Sequence, residues 1–165
     1  MAVDCVVVSY NSADELPACL RSLADQPGGE VAVTVVDNCS SDDSVAVARD
    51  HGVRVLANAS NRGFAAAVNQ GLRGGRSLWV LIVNPDACLM PGGVRAMMDV
   101  ANGGGRVGCV GPKTTDMAGN IYPSARSFPG VFTALAHGLL GSVWPGNPAT
   151  RRYHTGHGAM PRSLF

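Results

Sequence analysis

Leu78-Trp79-Val80-Leu81-Ile82-Val83-Asn84-Pro85-Asp86 is the stretch on which the reading of this chain turns. An unbroken apolar run predicts a strand over 78–83 that is buried on both faces, as in a parallel sheet covered by helices. Ligands of open α/β sheets settle just beyond the carboxyl ends of such strands. Asp86 therefore falls where a divalent cation and a phosphate would meet. Asn, Pro and Asp also favour turns, so an ordinary turn is the competing reading of the same residues. Polar clusters after two earlier apolar runs favour the first.

Those runs set the rhythm of the amino-terminal part. Val3–Val8 is a β-branched strand followed by Ser9-Tyr10-Asn11-Ser12, and Leu16, Cys19, Leu20 and Leu23 then share one helical face. Asp14 and Glu15 sit at the amino end of that helix, where its dipole favours acids. Val31–Val36 predicts the second strand, ending in Asp37-Asn38-Cys39-Ser40-Ser41-Asp42-Asp43. A helix through Val45 and Ala48 stops at Gly52, a short strand covers Val53–Leu56, and 58–63 is a loop. Phe64–Leu72 predicts a helix before the 78–83 strand. Pro91 suits the first turn of the next helix, whose apolar face holds Val94, Met97, Met98 and Val100. Val107–Gly111 is expected as a further strand, Met117–Tyr122 as a hairpin around Ala118-Gly119-Asn120, and Phe132–Leu140 as a short helix.

Strand and helix alternating in this way imply an α/β domain with a mostly parallel, doubly wound sheet. Its 165 residues are one domain's length. We divide it into a ligand-binding α/β region, 1–111, and an irregular region of the same domain, 112–165. The net charge of +1 hides an asymmetry. Residues 1–100 carry 7 Lys and Arg against 11 Asp and Glu, and 101–165 carry 6 against 1. A basic second part suits a diphosphate or an anionic membrane surface, with a solvated basic loop region as the competing reading, and no nucleic acid is expected as a partner. The five cysteines are odd in number and lack C-x-x-C spacing, which excludes a complete disulfide framework within the chain. Cys5 and Cys109, in strand-like segments, read as small hydrophobes. The first residues lack a signal-peptide pattern and no apolar run approaches the ~20 residues of a membrane span. A cytoplasmic location is expected.

All carboxyl ends of a parallel sheet lie along one edge, so the first, second and fourth strands deliver their clusters to one crevice. That set suits a nucleoside diphosphate. Asp37 can accept from a base imide or a ribose hydroxyl, Tyr10 offers an aromatic face, and Asp86 can hold Mg²⁺ or Mn²⁺ bridged to phosphates. Neither G-x-G-x-x-G after the first strand nor G-x-x-x-x-G-K-[ST] occurs, which argues against a dinucleotide dehydrogenase and a P-loop NTPase. Asp42 and Asp43 read as helix-start residues. His154 and His157 lack further ligands at zinc spacing.

Val7-Val8-Ser9-Tyr10-Asn11, Val35-Val36-Asp37-Asn38-Cys39-Ser40-Ser41-Asp42, Asn61-Arg62-Gly63-Phe64-Ala65-Ala66-Ala67-Val68-Asn69-Gln70-Gly71 and Asn84-Pro85-Asp86 occur in that order. Together they resemble family 2 glycosyltransferases of the GT-A fold. Gly119-Asn120-Ile121-Tyr122-Pro123-Ser124-Ala125-Arg126 and Trp144-Pro145-Gly146-Asn147-Pro148 resemble its rhamnosyltransferase branch, in particular actinobacterial cell-wall enzymes acting on N-acetylglucosaminyl-diphospho-decaprenol. The resemblance implies that Ser9, Tyr10 and Asn11 line the nucleotide pocket and that Asp37 holds the base with Asn38 beside it. It implies that Asn61, Gly63 and Asn69 shape the wall near ribose and diphosphate. Asn84-Pro85-Asp86 stands where the family commonly has Asp-x-Asp, which makes Asp86 the metal contact and puts Asn84 in place of the first acid.

The donor implied is a nucleoside-diphosphate sugar, dTDP-rhamnose, and the reaction is inverting transfer to a lipid-linked sugar acceptor. Contact would be peripheral, on the inner face of the plasma membrane. Family members continue into an acceptor-binding half with Trp-x-Ser-Gly and a Glu-Asp pair whose Asp is the catalytic base. Phe165 comes before either, and beyond Asp99 the sole carboxylate is Asp116. The expectation is a donor-binding half without its base, either as the transferase or as an inactive nucleotide-sugar-binding module.

Overall fold

The computed structural model describes residues 2–28, 31–105, 107–116 and 118–122. It divides into two compact units, Met1–Gly108 and Cys109–Phe165. The first unit alternates strand and helix as the apolar pattern requires. It runs β1 (Val3–Ser9), α1 (Leu16–Ala24), β2 (Val31–Asp37), α2 (Ser44–Asp50), β3 (Arg54–Ala57), α3 (Phe64–Gly71), β4 (Val80–Val83) and α4 (Gly93–Asn102).

The four strands form one parallel sheet in the order β3-β2-β1-β4. The register sets Ser9 beside Asp37 and Asp37 beside Ala57, so three strands end abreast. Val83 pairs with Val7, and Asn84-Pro85-Asp86 leaves the sheet along the same edge.

Helices cover both faces. Leu16, Cys19, Leu20 and Leu23 of α1 and Ala48 of α2 bury against Cys5, Val7, Val35 and Val83. Full burial of each leucine or valine among them stabilises by about 1.5–3 kcal/mol. On the opposite face, Ala67 of α3 packs with Val6 and Val36, flanked by Val8, Leu56 and Leu72. Burial pushes the Cys5 and Cys19 thiols up to about 12, with Cys19 adding to it for Cys5, and Cys88 and then Asp86 adding to it for Cys19. Both serve as small apolar fillers.

Several expectations change. The fourth strand is shorter than 78–83, because its pairing with β1 begins at Asp4 opposite Val80 and Leu78 lies 85% exposed. It is not buried on both faces. Leu81 and Val83 face the α1 side, whereas Val80 and Ile82 remain 45% and 49% exposed because α3 sits over β1 and β2. Val107–Gly111 is not a strand, and Cys109 is exposed. Glycines at 108 and 111 leave little side chain to pack, and no described strand pairs with the segment.

Pro91 falls just before α4. Met90-Pro91-Gly92-Gly93 closes a type II turn by Gly93 N–H donating to Met90 O at 2.9 Å, with Gly92 at φ +80° as that turn demands. In the second unit, β5 (Thr114–Thr115) and β6 (Ile121–Tyr122) make an antiparallel hairpin, slightly longer than the expected one. The helix expected at 132–140 and the histidines at 154 and 157 lie outside the described residues.

Gly71 shows how closely α3 meets the sheet. A β-carbon there would stand 2.7 Å from Val6 Cγ1 and 3.0 Å from Val36 Cγ2, inside contact distance. Gly71→Ala gains about 1 kcal/mol of helix propensity, but wedging the helix off two buried valines costs about 1–3 kcal/mol. The expected outcome is a net loss of stability, read as a lower urea midpoint with an unchanged slope.

Candidate functional site

Three loops at the carboxyl edge of the sheet are sewn together by side chains that the sequence marks as polar clusters. Asn11, held at φ +50°, receives Ser41 N–H on Oδ1 at 2.8 Å and donates its own N–H to Ser40 Oγ at 2.9 Å. Ala13 N–H donates to Asp42 Oδ2 at 3.0 Å, and Ser12 N–H to Ser44 Oγ at 2.9 Å. The loops after β1 and β2 thus form one surface.

Asn38 ties in the loop after β3. It is 3% exposed; its Oδ1 accepts from Asn58 Nδ2 at 3.1 Å and Arg62 N–H at 3.4 Å, and its Nδ2 donates to Gly63 O at 3.3 Å. Asn61 Oδ1 accepts from Gly63 N–H at 2.9 Å, which shapes the turn where Gly63 opens α3 at φ +78°.

Asp37 is 2% exposed at the end of β2. Its Oδ2 accepts from Ser40 N–H at 2.9 Å and its Oδ1 from Ser40 Oγ. Each carboxylate oxygen keeps a second acceptor position. Its register neighbour Ser9 is fully buried, and Ser9 Oγ has no hydrogen-bond partner among the described residues. Buried hydroxyls are seldom left so.

Other candidates stand clear of the protein. Tyr10 is 53% exposed. Asn69 is exposed on α3, and Asn84 and Asp86 are exposed beyond β4. Asn84-Pro85-Asp86-Ala87 is a turn, closed by Ala87 N–H donating to Asn84 O at 3.1 Å, so both readings of these residues describe it. Asp86 has no hydrogen bond among the described residues. No group of three or more His, Cys, Asp or Glu is placed to hold a metal among those residues. One open carboxylate at a strand end still fits Mg²⁺ or Mn²⁺, which take one or two protein carboxylates plus substrate phosphates.

Some residues matter more than sequence reasoning allowed. Asp42 does serve the start of α2, accepting Ser44 N–H on Oδ1 at 3.1 Å, but it also grips Ala13 across the loops. The Ser44 hydroxyl, then the Ala13 amide, hold its carboxyl below the ordinary 3.8. Ser40 and Ser44 emerge as the connectors, and their alternation with Asp37 and Asp42 was the available signal. A shallow cavity of about 200 Å³ between Pro27, Val94 and Met98 contains none of the candidate residues.

The chain belongs to glycosyl transferase family 2, whose family model matches residues 4–158. It is 34% identical over 161 residues to N-acetylglucosaminyl-diphospho-decaprenol L-rhamnosyltransferase of Mycobacterium tuberculosis, covering 90% of this chain and 52% of that protein. It therefore spans about half the length of the curated relatives it matches first. TarS of S. aureus, at 27% identity, shares the fold with a TM-score of 0.54 over 61% of this chain and 31% of TarS. The mannosyltransferase PcManGT from Pyrobaculum calidifontis, solved with GDP-Man and Mn²⁺, gives 0.50 at 26% identity, over 52% of this chain and 28% of the other. The expected GT-A α/β fold is borne out.

Two outcomes follow from the stitching. Asn38→Ala leaves the Asn58 amide and Arg62 N–H without their acceptor. It should cost about 1–3 kcal/mol in urea unfolding while the circular dichroism spectrum is kept. Asp42, with its folded pKa depressed, contributes stability above its ordinary pKa and loses it as pH falls through the lower folded value. Asp42→Asn should therefore lower the urea midpoint near neutral pH and have less effect at about pH 3.

Proposed function

We propose that the rim at the carboxyl edge binds a nucleoside-diphosphate sugar, dTDP-rhamnose, for inverting transfer to a lipid-diphosphate-linked N-acetylglucosamine. The observation that carries this reading is the convergence of Tyr10, Asp37 and Asp86, from three adjacent parallel strands, on one edge. The rhamnosyl donor and the lipid-linked acceptor are taken from the mycobacterial relative's name.

In this reading Asp37 receives the base imide on its spare acceptor positions, and the Tyr10 ring covers the base or ribose. Ser9 and Asn11 line the nucleotide pocket, and Asn38 holds the wall formed by Asn61 and Gly63 in place. Asn69 and Asn84 offer amides toward ribose and diphosphate. Asp86 would hold Mg²⁺ or Mn²⁺, as the ion in the PcManGT structure suggests for this fold. When bound, the ion neutralises charge on the departing diphosphate.

Transfer also needs a base to take the proton of the acceptor hydroxyl as its oxygen attacks the anomeric carbon. Asp116 is unsuited to that role. Its carboxylate accepts Ala118 N–H at 2.9 Å, Asn120 N–H at 2.8 Å and Asn120 Nδ2 at 3.0 Å, and these bonds, Asn120's side chain first, hold its pKa below the ordinary value. This favours a second reading, in which the 165 residues hold the donor without transferring it.

No helix among the described residues is long and apolar enough to cross a membrane. A peripheral approach to the lipid-linked acceptor, at the cytoplasmic face, is part of the same proposal.

Calorimetry with dTDP tests the donor site. The expected result is binding strengthened by Mn²⁺, with Asp86→Ala removing about tenfold or more of that gain. Absence of binding, or a gain indifferent to Asp86, counts against the donor reading. A rhamnosyl-transfer assay with a lipid-linked N-acetylglucosamine acceptor then separates enzyme from binder.

A further inference from the structure

The turn bearing Asp86 is fastened from one side by α1 and the residues just after it. Cys19 Sγ donates to Asn84 O at 3.6 Å. Ser22 Oγ accepts Leu89 N–H at 3.0 Å while donating to Cys19 O at 2.7 Å. Gln26, 7% exposed and two residues beyond α1, donates through Nε2 to Ser22 O at 2.9 Å and to Met90 O at 3.1 Å. Its Oε1 accepts Val94 N–H at 3.2 Å. A flipped amide would set Nε2 against the Val94 N–H, so only one orientation satisfies all three partners.

Residues 19, 22 and 26 follow the spacing that puts side chains in one row. Their partners run in parallel order along 84, 89, 90 and 94. Upstream the same segment is fixed by the β1–β4 ladder, where Val83 pairs with Val7. The exposed Asp86 side chain has no bond of its own, so its height above the sheet is set by backbone clamped at both ends.

We propose that Ser22 and Gln26 are positioning residues for the cation held at Asp86, acting through the 84–94 backbone and touching neither nucleotide nor metal. This rests on the donor-site reading above. Partners that orient a metal ligand typically change metal affinity by about 10–100-fold when removed. The effect should therefore appear in the metal-linked part of nucleotide binding.

The test is calorimetry of dTDP on the 165-residue chain in Mn²⁺ and in EDTA, with Ser22→Ala, Ser22→Thr, Gln26→Leu and Asp86→Ala. Ser22→Ala and Gln26→Leu are expected to reduce the Mn²⁺-linked gain by about tenfold, leaving affinity in EDTA little changed. Ser22→Thr, which keeps the hydroxyl, restores the gain. A merely structural role would lower the melting temperature and weaken both arms equally, or neither; either result in folded variants overturns the proposal. If Gln26→Leu fails to fold, the Ser22 pair decides alone. A gain lost in Asp86→Ala but kept in Ser22→Ala overturns the positioning role and spares the donor reading. A gain untouched by Asp86→Ala, or no dTDP binding at all, removes both.

Discussion

Parallel strands must all point the same way, and in this sheet the register makes β1, β2 and β3 stop together at Ser9, Asp37 and Ala57. Every loop that follows a strand then starts from one line, separated from its neighbour by about 5 Å, the spacing between strands. At that spacing short side chains such as Ser, Asn and Asp can reach across. The whole rim follows from this constraint. A one-residue slip of β2 against its neighbours would turn Asp37 from the α1 face to the α3 face and undo the contacts it anchors.

Within the rim, the polar residues divide between mortar and surface. Asn38, Asp42, Ser40 and the side-chain oxygen of Asn11 spend their capacity on neighbouring loops. Tyr10 and Asp86 are left uncommitted. Asp37 is intermediate: buried, bonded by its own loop, and still able to accept. A rigid frame with a few free groups suits recognition of a charged, flexible molecule, because ordering costs are met in folding rather than at binding.

Much of this was legible in the chain because strand and helix periods are strong signals in it. Val3–Val8, Val31–Val36 and the Leu16/Cys19/Leu20/Leu23 stripe each lie within a residue or so of the observed elements. The reading of 78–83 went too far because an apolar run reports burial in general and not which neighbours supply it; among the described strands β4 pairs with β1 alone, and α3 sits over β1 and β2 instead. The roles of Ser22 and Gln26 were not legible at all. Both look like ordinary polar residues of a helix and its exit, and their partners are backbone groups some 64 to 68 residues away. Asp42 was half legible, since its service to α2 is local and its grip on Ala13 is not.

Strand β4 also has a material consequence. Val80-Leu81-Ile82-Val83 carries neither charge nor proline, and no described strand pairs along its outer rail. Natural sheets usually blunt such an edge with lysine, proline or a bulge, because bare amides and carbonyls template further strands. In concentrated solution the behaviour of this polypeptide, its yield on refolding and its tendency toward fibrous precipitate, will be governed by whatever sheathes that edge.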